Sequence, residues 1–225
     1  MEYSETVPVQ YASGSTYFMG MNILVDPRVF IPRPETELLV REAAALCQKR
    51  SAVDPLILEM GTGSGIIPIG MKSLIPGCRI LSVDISPGAL EVAGLNIKRC
   101  VGEGGVTLCE SDMFENIDSA YEGTFDAVLS NPPYVSCGDY EKTDAWIKAE
   151  PSQALLAGEE GMDCLNILAK ESGRFLKPGG FLAVEIGYDQ ASKVKSLFRE
   201  HGFERIKSFY DMNSYERVIA GWKNG

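Results

Sequence analysis

The chain has 225 residues, 45% of them hydrophobic, and a formal net charge of -10. That length and apolar content support one sizeable core, while the acidity, with no stretch that concentrates Lys and Arg, opposes a phosphate-backbone partner. Six cysteines without a CxxC pair, a single histidine (His201) and no apolar run long enough for a bilayer exclude a zinc cluster, a histidine-dependent nucleophilic triad and a transmembrane helix. No metal site is expected. With no signal peptide, the thiols are expected to be reduced and the protein cytoplasmic.

Residues 1–34 stand apart from the rest of the chain. "TYFMGMNILV" (16–25) suggests short extended structure around Gly20, an appendage lying over the active-site edge of a domain that spans 35–225. "IPRPETE" then forms a proline-stiffened entry to a helix carrying Leu39, Ala43 and Leu46. "PLILEM" (55–60) reads as a buried strand, followed by a glycine-rich turn and a helix that Pro68 and Gly70 should soften. "RILSVD" (79–84) is a second strand. In "SPGALEVAGLNIKRC" (86–100), Ser86 suits an N-cap and Pro87 the first helical position, with Leu90, Ala93 and Ile97 as an apolar stripe.

"VTLCESD" (106–112) and "FDAVLSN" (125–131) are the third and fourth strands. The polar stretch "VSCGDYEKTDAWIKAEP" that follows is expected to form part of a substrate rim and to be mobile without substrate. A helix over 161–176 should stop at "KPGG", before a fifth strand, "FLAVEIG" (181–187). A helix over 189–201 places Val194, Leu197, Phe198 and His201 on one face. "ERIKSFY" and "ERVIAGW" close the chain as an antiparallel pair. The alternation predicts an α/β fold, an open and mostly parallel sheet covered by helices on both faces. Such sheets bind ligands beyond the carboxyl ends of their strands.

The candidate chemistry falls at those ends. In "EMGTGSG" (59–65), Gly61, Gly63 and Gly65 permit a tight turn and close backbone approach to a ligand. The spacing is GxGxG, not that of a dinucleotide fingerprint; a plain strand-to-helix turn is the simpler alternative. Asp84, 23 residues beyond Gly61, ends the next strand and can accept from two ribose hydroxyls. Asp112 ends the third strand, where it can accept from an adenine amino group with Met113 and Phe114 against the ring. Glu59 adds a further acid. An acidic edge with no Lys or Arg in the glycine turn is a poor pyrophosphate site and suits a cationic nucleoside such as S-adenosyl-L-methionine.

"NPPY" (131–134) closes the fourth strand. An amide or aromatic amine nitrogen is a weak nucleophile because its lone pair is delocalised. Its methylation needs acceptors on the N–H groups and the lone pair aimed at the methyl. The Asn131 side-chain oxygen and the Pro132 carbonyl are two acceptors on a stiff support, and Tyr134 can cover the planar group. A rigid Asn-Pro turn is the bland alternative.

"NPPY", "EMGTGSG" and "VDISPGALEVA" resemble class I S-adenosylmethionine-dependent methyltransferases that modify planar nitrogens. "YFMGMNILVDP", "VFIPRPETELLV", "AEPSQALLAGEEGMD" and "FLKPGGFLAVEIGYDQ" resemble, more narrowly, the bacterial peptide chain release factor glutamine N5-methyltransferases, over almost the whole chain from Pro8. The resemblance implies a Rossmann-like seven-stranded sheet in the order 3-2-1-4-5-7-6 with one antiparallel strand. It implies methylation of the glutamine in the Gly-Gly-Gln motif, with S-adenosyl-L-homocysteine as product. Glu59, Gly61, Thr62, Gly63, Gly65, Asp84, Ile85, Asp112, Met113 and Asn131 would then serve the cofactor. Asn131, Pro132 and Tyr134 would carry catalysis; Phe18, Arg33, Pro34, Glu35, Thr36 and Pro133 would face the substrate. Family members usually begin with a helical domain that grips the release factor, whereas only about thirty residues precede "RPETE" here. A small-molecule amine or amide is therefore an alternative acceptor. A nucleic-acid adenine is disfavoured by the charge, and a non-catalytic cofactor-binding subunit by the intact Asn131 and glycines.

Overall fold

The structure, a computed structural model, describes residues 7–50, 54–102 and 104–225; residues 1–6 of the expected appendage lie outside the described residues. Helix α1 (Val9–Ser13) leads into an antiparallel hairpin of β1 (Ser15–Phe18) and β2 (Met21–Leu24). Its two-residue turn, Met19-Gly20, has positive φ at both positions, the turn type whose twist matches the strands. Helix α2 (Glu35–Lys49) follows.

The main sheet contains β3 (Leu56–Met60), β4 (Arg79–Asp84), β5 (Val106–Glu110), β6 (Phe125–Ser130), β7 (Leu176–Glu185), β8 (Phe203–Tyr210) and β9 (Glu216–Lys223). Their order is β5-β4-β3-β6-β7-β9-β8, with β9 alone antiparallel to its neighbours. Counted within this sheet, that is the expected 3-2-1-4-5-7-6.

Successive residues of each central strand serve opposite cores. Ile57, Ile80, Leu129 and Ala183 pack under α2, α3 (Ile66–Leu74), α4 (Pro87–Val101) and the hairpin. Leu58, Leu81, Val128 and Val184 pack under α7 (Asp163–Phe175) and α8 (Ala191–Glu200). A strand buried on both faces reads as a continuous apolar run, the pattern of β6, in which every residue is buried.

Four expectations change. Helix α7 does end beside "KPGG", at Phe175, but the fifth strand starts earlier than expected: β7 begins at Leu176 and takes that run in, and Gly180 lies where a Cβ would stand 3.1 Å from the Phe125 carbonyl, beside the register shift between β6 and β7. His201 caps the end of α8 in solvent, while Val194 and Phe198 are buried. Helix α3 is unbroken: Pro68 sits in its first turn, where N–H groups have no helical partner anyway. Gly70 is a packing residue, since a Cβ there would stand 2.7 Å from Val40 Cγ1 and 3.0 Å from Met19 Sδ. Leu90 is only half-buried on α4, whose inward stripe instead includes Asn96.

Asn96 is fully buried and fully used. Its Oδ1 accepts from the Leu24 amide at 2.8 Å, and its Nδ2 donates to the Leu24 and Ser64 carbonyls, each at 2.9 Å. One side chain thus ties the hairpin to α4 and to the glycine turn. Asn96→Leu strands one buried and two partly buried backbone groups and should cost about 3 kcal/mol in urea denaturation. A loss below about 1 kcal/mol would mean that water replaces the side chain.

Candidate active site

Parallel pairing sets Met60 beside Val83 on one side and Ser130 on the other. The three strands therefore end together, and the next residues share one edge. Gly61 and Thr62 donate their amides to the Val83 carbonyl at 2.8 and 3.0 Å. Gly61, Gly63 and Gly65 all have positive φ, the region where an L side chain is strained. A Cβ on Gly61 would lie 3.8 Å from the Asn131 carbonyl, so the glycine turn and the Asn-Pro-Pro-Tyr segment are immediate neighbours.

A cavity of about 530 Å³ opens at this edge, within the range of small-molecule sites. Of the residues singled out from sequence, Arg33, Thr36, Gly61, Thr62, Gly63, Asp84, Ile85, Asp112, Met113, Asn131, Pro132, Pro133 and Tyr134 line it. Phe18, Pro34, Glu35, Glu59 and Gly65 do not. Phe18, at 1% exposure, belongs to the core: β1 turns it inward and Tyr17 outward. Gly65 meets α4, where its Cβ would stand 3.2 Å from Ala93 Cα. Phe114 stacks on Phe175 with centroids 5.3 Å apart and is not in the cavity wall.

Two carboxylates bear on the glycine turn. Asp84 accepts from the Gly63 amide at 2.8 Å and the Ser86 amide at 2.9 Å, which fixes the turn and leaves lone pairs for a ligand. Burial pushes its carboxyl up against these hydrogen bonds. Glu59 lies fully buried beneath the turn, where one oxygen accepts from Thr62 and Ser82 and Oε1 has no partner among the described residues. Burial pushes Glu59 up to about 7.

The opposite wall holds an arrangement that the motif reading missed. Asn131 Nδ2 donates to Thr36 Oγ1 at 3.0 Å, and Thr36 Oγ1 donates to Glu185 Oε2 at 2.7 Å. The Tyr134 hydroxyl donates to Glu185 Oε1 at 3.5 Å. Glu185 is 1% exposed, and burial foremost pushes it up to about 7. The available signal was a charged residue inside the apolar run "FLAVEIG". Gln190 was also missed. It donates to the Tyr134 and Gly161 carbonyls, each at 3.0 Å, and accepts from Gly187 at 2.9 Å. Gly161 must remain small, because a Cβ would stand 2.4 Å from the Tyr134 carbonyl.

The rim joins the segment before α2 to the stretch after Tyr134. Arg33 pairs with buried Glu150, donates to the Ile31 carbonyl at 2.8 Å and lies 4.5 Å over the Phe30 ring. Glu150 also accepts from the Ile31 amide at 2.9 Å. Two short helices, α5 (Cys137–Lys142) and α6 (Ala145–Lys148), occupy the polar stretch after Tyr134, and Thr143 and Ile147 line the cavity there. Among the described residues, no helix is long and apolar enough to cross a membrane, and no group of three or more His, Cys, Asp or Glu is suited to a metal ion.

Fold and site together define a class I methyltransferase domain, and residues 35–159 match the family described as Methyltransferase small domain. The chain is 37% identical over 217 residues to the release factor glutamine methyltransferase of Koribacter versatilis, covering 96% of this chain and 75% of that one. It is 35% identical over 215 residues to that of Geobacter sulfurreducens, covering 95% and 72%. The chain belongs to the release factor glutamine methyltransferase family. Among solved structures, the release-factor-specific protein-(glutamine-N5) methyltransferase of Alicyclobacillus acidocaldarius is 27% identical, with TM-score 0.53 over 89% of this chain and 99% of that one. A Pyrococcus furiosus methyltransferase, 18% identical over 92% and 91% of the two chains with TM-score 0.66, shares the fold.

Glu59 carries a pH dependence of stability. Its folded carboxyl titrates near 7 and its unfolded one near 4.5, so between those values the folded state keeps a proton that the unfolded chain releases. Its contribution to stability therefore falls as pH rises through that window. Glu59→Gln keeps an acceptor for Thr62 and Ser82 without the ionisation. Its stability relative to wild type should climb from about pH 4.5 and level off above about 7, followed by urea denaturation at stepped pH. Parallel curves for the two proteins would show that Glu59 does not titrate there.

Proposed function

We propose that this chain transfers the methyl group of S-adenosyl-L-methionine to the side-chain N5 of the glutamine in the Gly-Gly-Gln motif of peptide chain release factors, with S-adenosyl-L-homocysteine as product. The observation that carries the reading is the Asn131 side chain, held through its Nδ2 by Thr36 beside the glycine turn. Family membership supports the substrate, since the relatives are named for it. Such a reaction belongs in the cytoplasm, with translation.

The donor set fits the cofactor. The wall offers Asp84 and Asp112 as acceptors, and the glycine turn has no Lys or Arg. That chemistry suits ribose hydroxyls, an adenine amino group and a cationic sulfonium. When bound, S-adenosyl-L-methionine supplies an electrophilic methyl on that sulfonium. Asp84 accepts from the ribose with the lone pairs that Gly63 and Ser86 leave free. Ile85 and Met113 pack on the adenine and Asp112 accepts from its amino group. Gly61 and Gly63 let the backbone approach, while Glu59 acts indirectly by holding Thr62.

On the acceptor side, Asn131 Oδ1 and the Pro132 carbonyl accept from the two N–H groups of the target amide. Holding both N–H bonds leaves the lone pair as the face presented to the methyl, and Tyr134 restricts tilt of the amide plane. Alignment for in-line displacement supplies the rate; two carbonyl dipoles stabilise the positive charge that grows on nitrogen, which then sheds one of its N–H protons to water. Arg33 and Pro133 shape the mouth, and Pro34 and Glu35 act by fixing the start of α2. Release factor incubated with labelled cofactor should carry label on the Gly-Gly-Gln glutamine. Asn131→Ala should slow transfer by about 10²–10³-fold and spare cofactor affinity. An unlabelled glutamine with cofactor binding intact would overturn the assignment and turn attention to a small-molecule amide.

A further inference from the structure

We infer that Thr36 and Glu185 are positioning residues that decide which atom of the Asn131 side chain faces the substrate nitrogen. The inference rests on the N-methyl transfer proposed above. A carboxamide has nearly the same shape when its oxygen and nitrogen are exchanged, yet only one orientation serves this reaction. With Oδ1 toward the cavity, Asn131 accepts from the target N–H. With Nδ2 there, donor would meet donor.

The choice follows from counting hydrogens. Thr36 has one hydroxyl hydrogen and gives it to Glu185 Oε2 at 2.7 Å. An ionised carboxylate only accepts, so the hydroxyl cannot turn that hydrogen elsewhere without abandoning a buried charge. Toward Asn131, Thr36 therefore offers only lone pairs, and Nδ2 is the atom that meets them at 3.0 Å. Oδ1 is left for the cavity. The other Glu185 oxygen receives the Tyr134 hydroxyl at 3.5 Å, so one carboxylate holds both ends of the Asn-Pro-Pro-Tyr segment. A buried carboxylate at the end of an apolar strand is costly for the fold, and among the described residues its hydrogen bonds go to these two site residues alone.

The same logic makes the device sensitive to protonation. Glu35 in the first turn of α2 raises the Glu185 carboxyl further, while Arg217 on β9, Thr36 and Tyr134 hold it down; Arg33 and Glu35 also face Tyr134. The balance puts its titration near 7. Once protonated, Glu185 can donate to Thr36, the Thr36 hydrogen is free to turn toward Asn131, and the amide orientation is no longer forced.

The test uses the full chain, a release factor bearing Gly-Gly-Gln, and Thr36→Val, Thr36→Ser and Glu185→Gln. Cofactor affinity should persist in all three. Thr36→Val should slow single-turnover transfer by about 100-fold, the scale of a misplaced reacting group, and Thr36→Ser should restore most of the rate. Wild-type transfer should rise with pH through about 7, and Glu185→Gln should flatten that rise. The Asn131 side-chain amide resonances, assigned against Asn131→Ala, should shift through the same pH range in wild type and stay fixed in Glu185→Gln. This readout needs no substrate. If wild type shifts but labels no release factor, the substrate assignment fails and the positioning stands. Fixed wild-type resonances, a Thr36→Val rate equal to wild type, or a Thr36→Ser rate as slow as Thr36→Val would overturn the positioning. Should Thr36→Val not fold, the resonance titration and Glu185→Gln decide.

Discussion

Met60 lies between Val83 and Ser130 in the parallel ladder, and Ser130 reinforces that register by donating its hydroxyl to the Met60 carbonyl at 2.7 Å. From this pairing the site follows. The chain leaving β3 turns at Gly61 against the Val83 carbonyl, the chain leaving β4 presents Asp84, and the chain leaving β6 presents Asn131. A slip of one residue in β6 would exchange its two faces, sending Val128 to the wrong core and Asn131 away from Gly61. Core packing and site geometry are thus specified by one register.

The polar residues that this edge buries carry its cost. Glu59 ends up beneath the glycine turn and Glu185 beneath the Asn-Pro-Pro-Tyr segment, each among apolar neighbours that favour its protonated form. A core chosen for stability alone would place apolar side chains there. Both are instead bound to hydroxyls that reach functional segments: Thr62 and Ser82 in one case, Thr36 and Tyr134 in the other. Departures from the apolar pattern concentrate where the chain must hold a shape that packing would not choose.

Contiguous motifs were legible in the sequence because their geometry is local: the glycines after β3 take positive φ, and Asp84 and Asn131 close the neighbouring strands, so all three segments line one cavity. The alternation of apolar runs with helical stripes made the sheet readable, down to the closing antiparallel pair. What was not legible depends on distance along the chain. Thr36 and Glu185 are 149 residues apart, and Asn131 is 95 residues from Thr36; neither spacing carries a pattern. Phe18 and Phe114 were read as ligand-facing because aromatic residues near a site have two uses. Only the packed structure shows that Phe18 fills the hairpin core and Phe114 stacks on Phe175. Gly70 looked like a helix flaw because the residues that crowd it, Val40 and Met19, come from other elements.

The hairpin and α2 bear on both sides of the cavity at once. Asn96 fastens Leu24 and Ser64 to one point of α4, so the hairpin shares an anchor with the glycine turn. Met19, in the hairpin turn, donates its amide to Glu37 on α2 at 2.8 Å. One residue earlier on that helix, Thr36 meets Glu185 and Asn131. A line made of hydrogen bonds, the hairpin and one helix therefore runs from the glycine turn to the Asn131 amide. Rigidity along such a line is what alignment of two reactants demands, because in-line transfer tolerates little relative displacement. Residues 16–36, which break the strand–helix rhythm of the rest of the chain, supply the link between the two halves of the site.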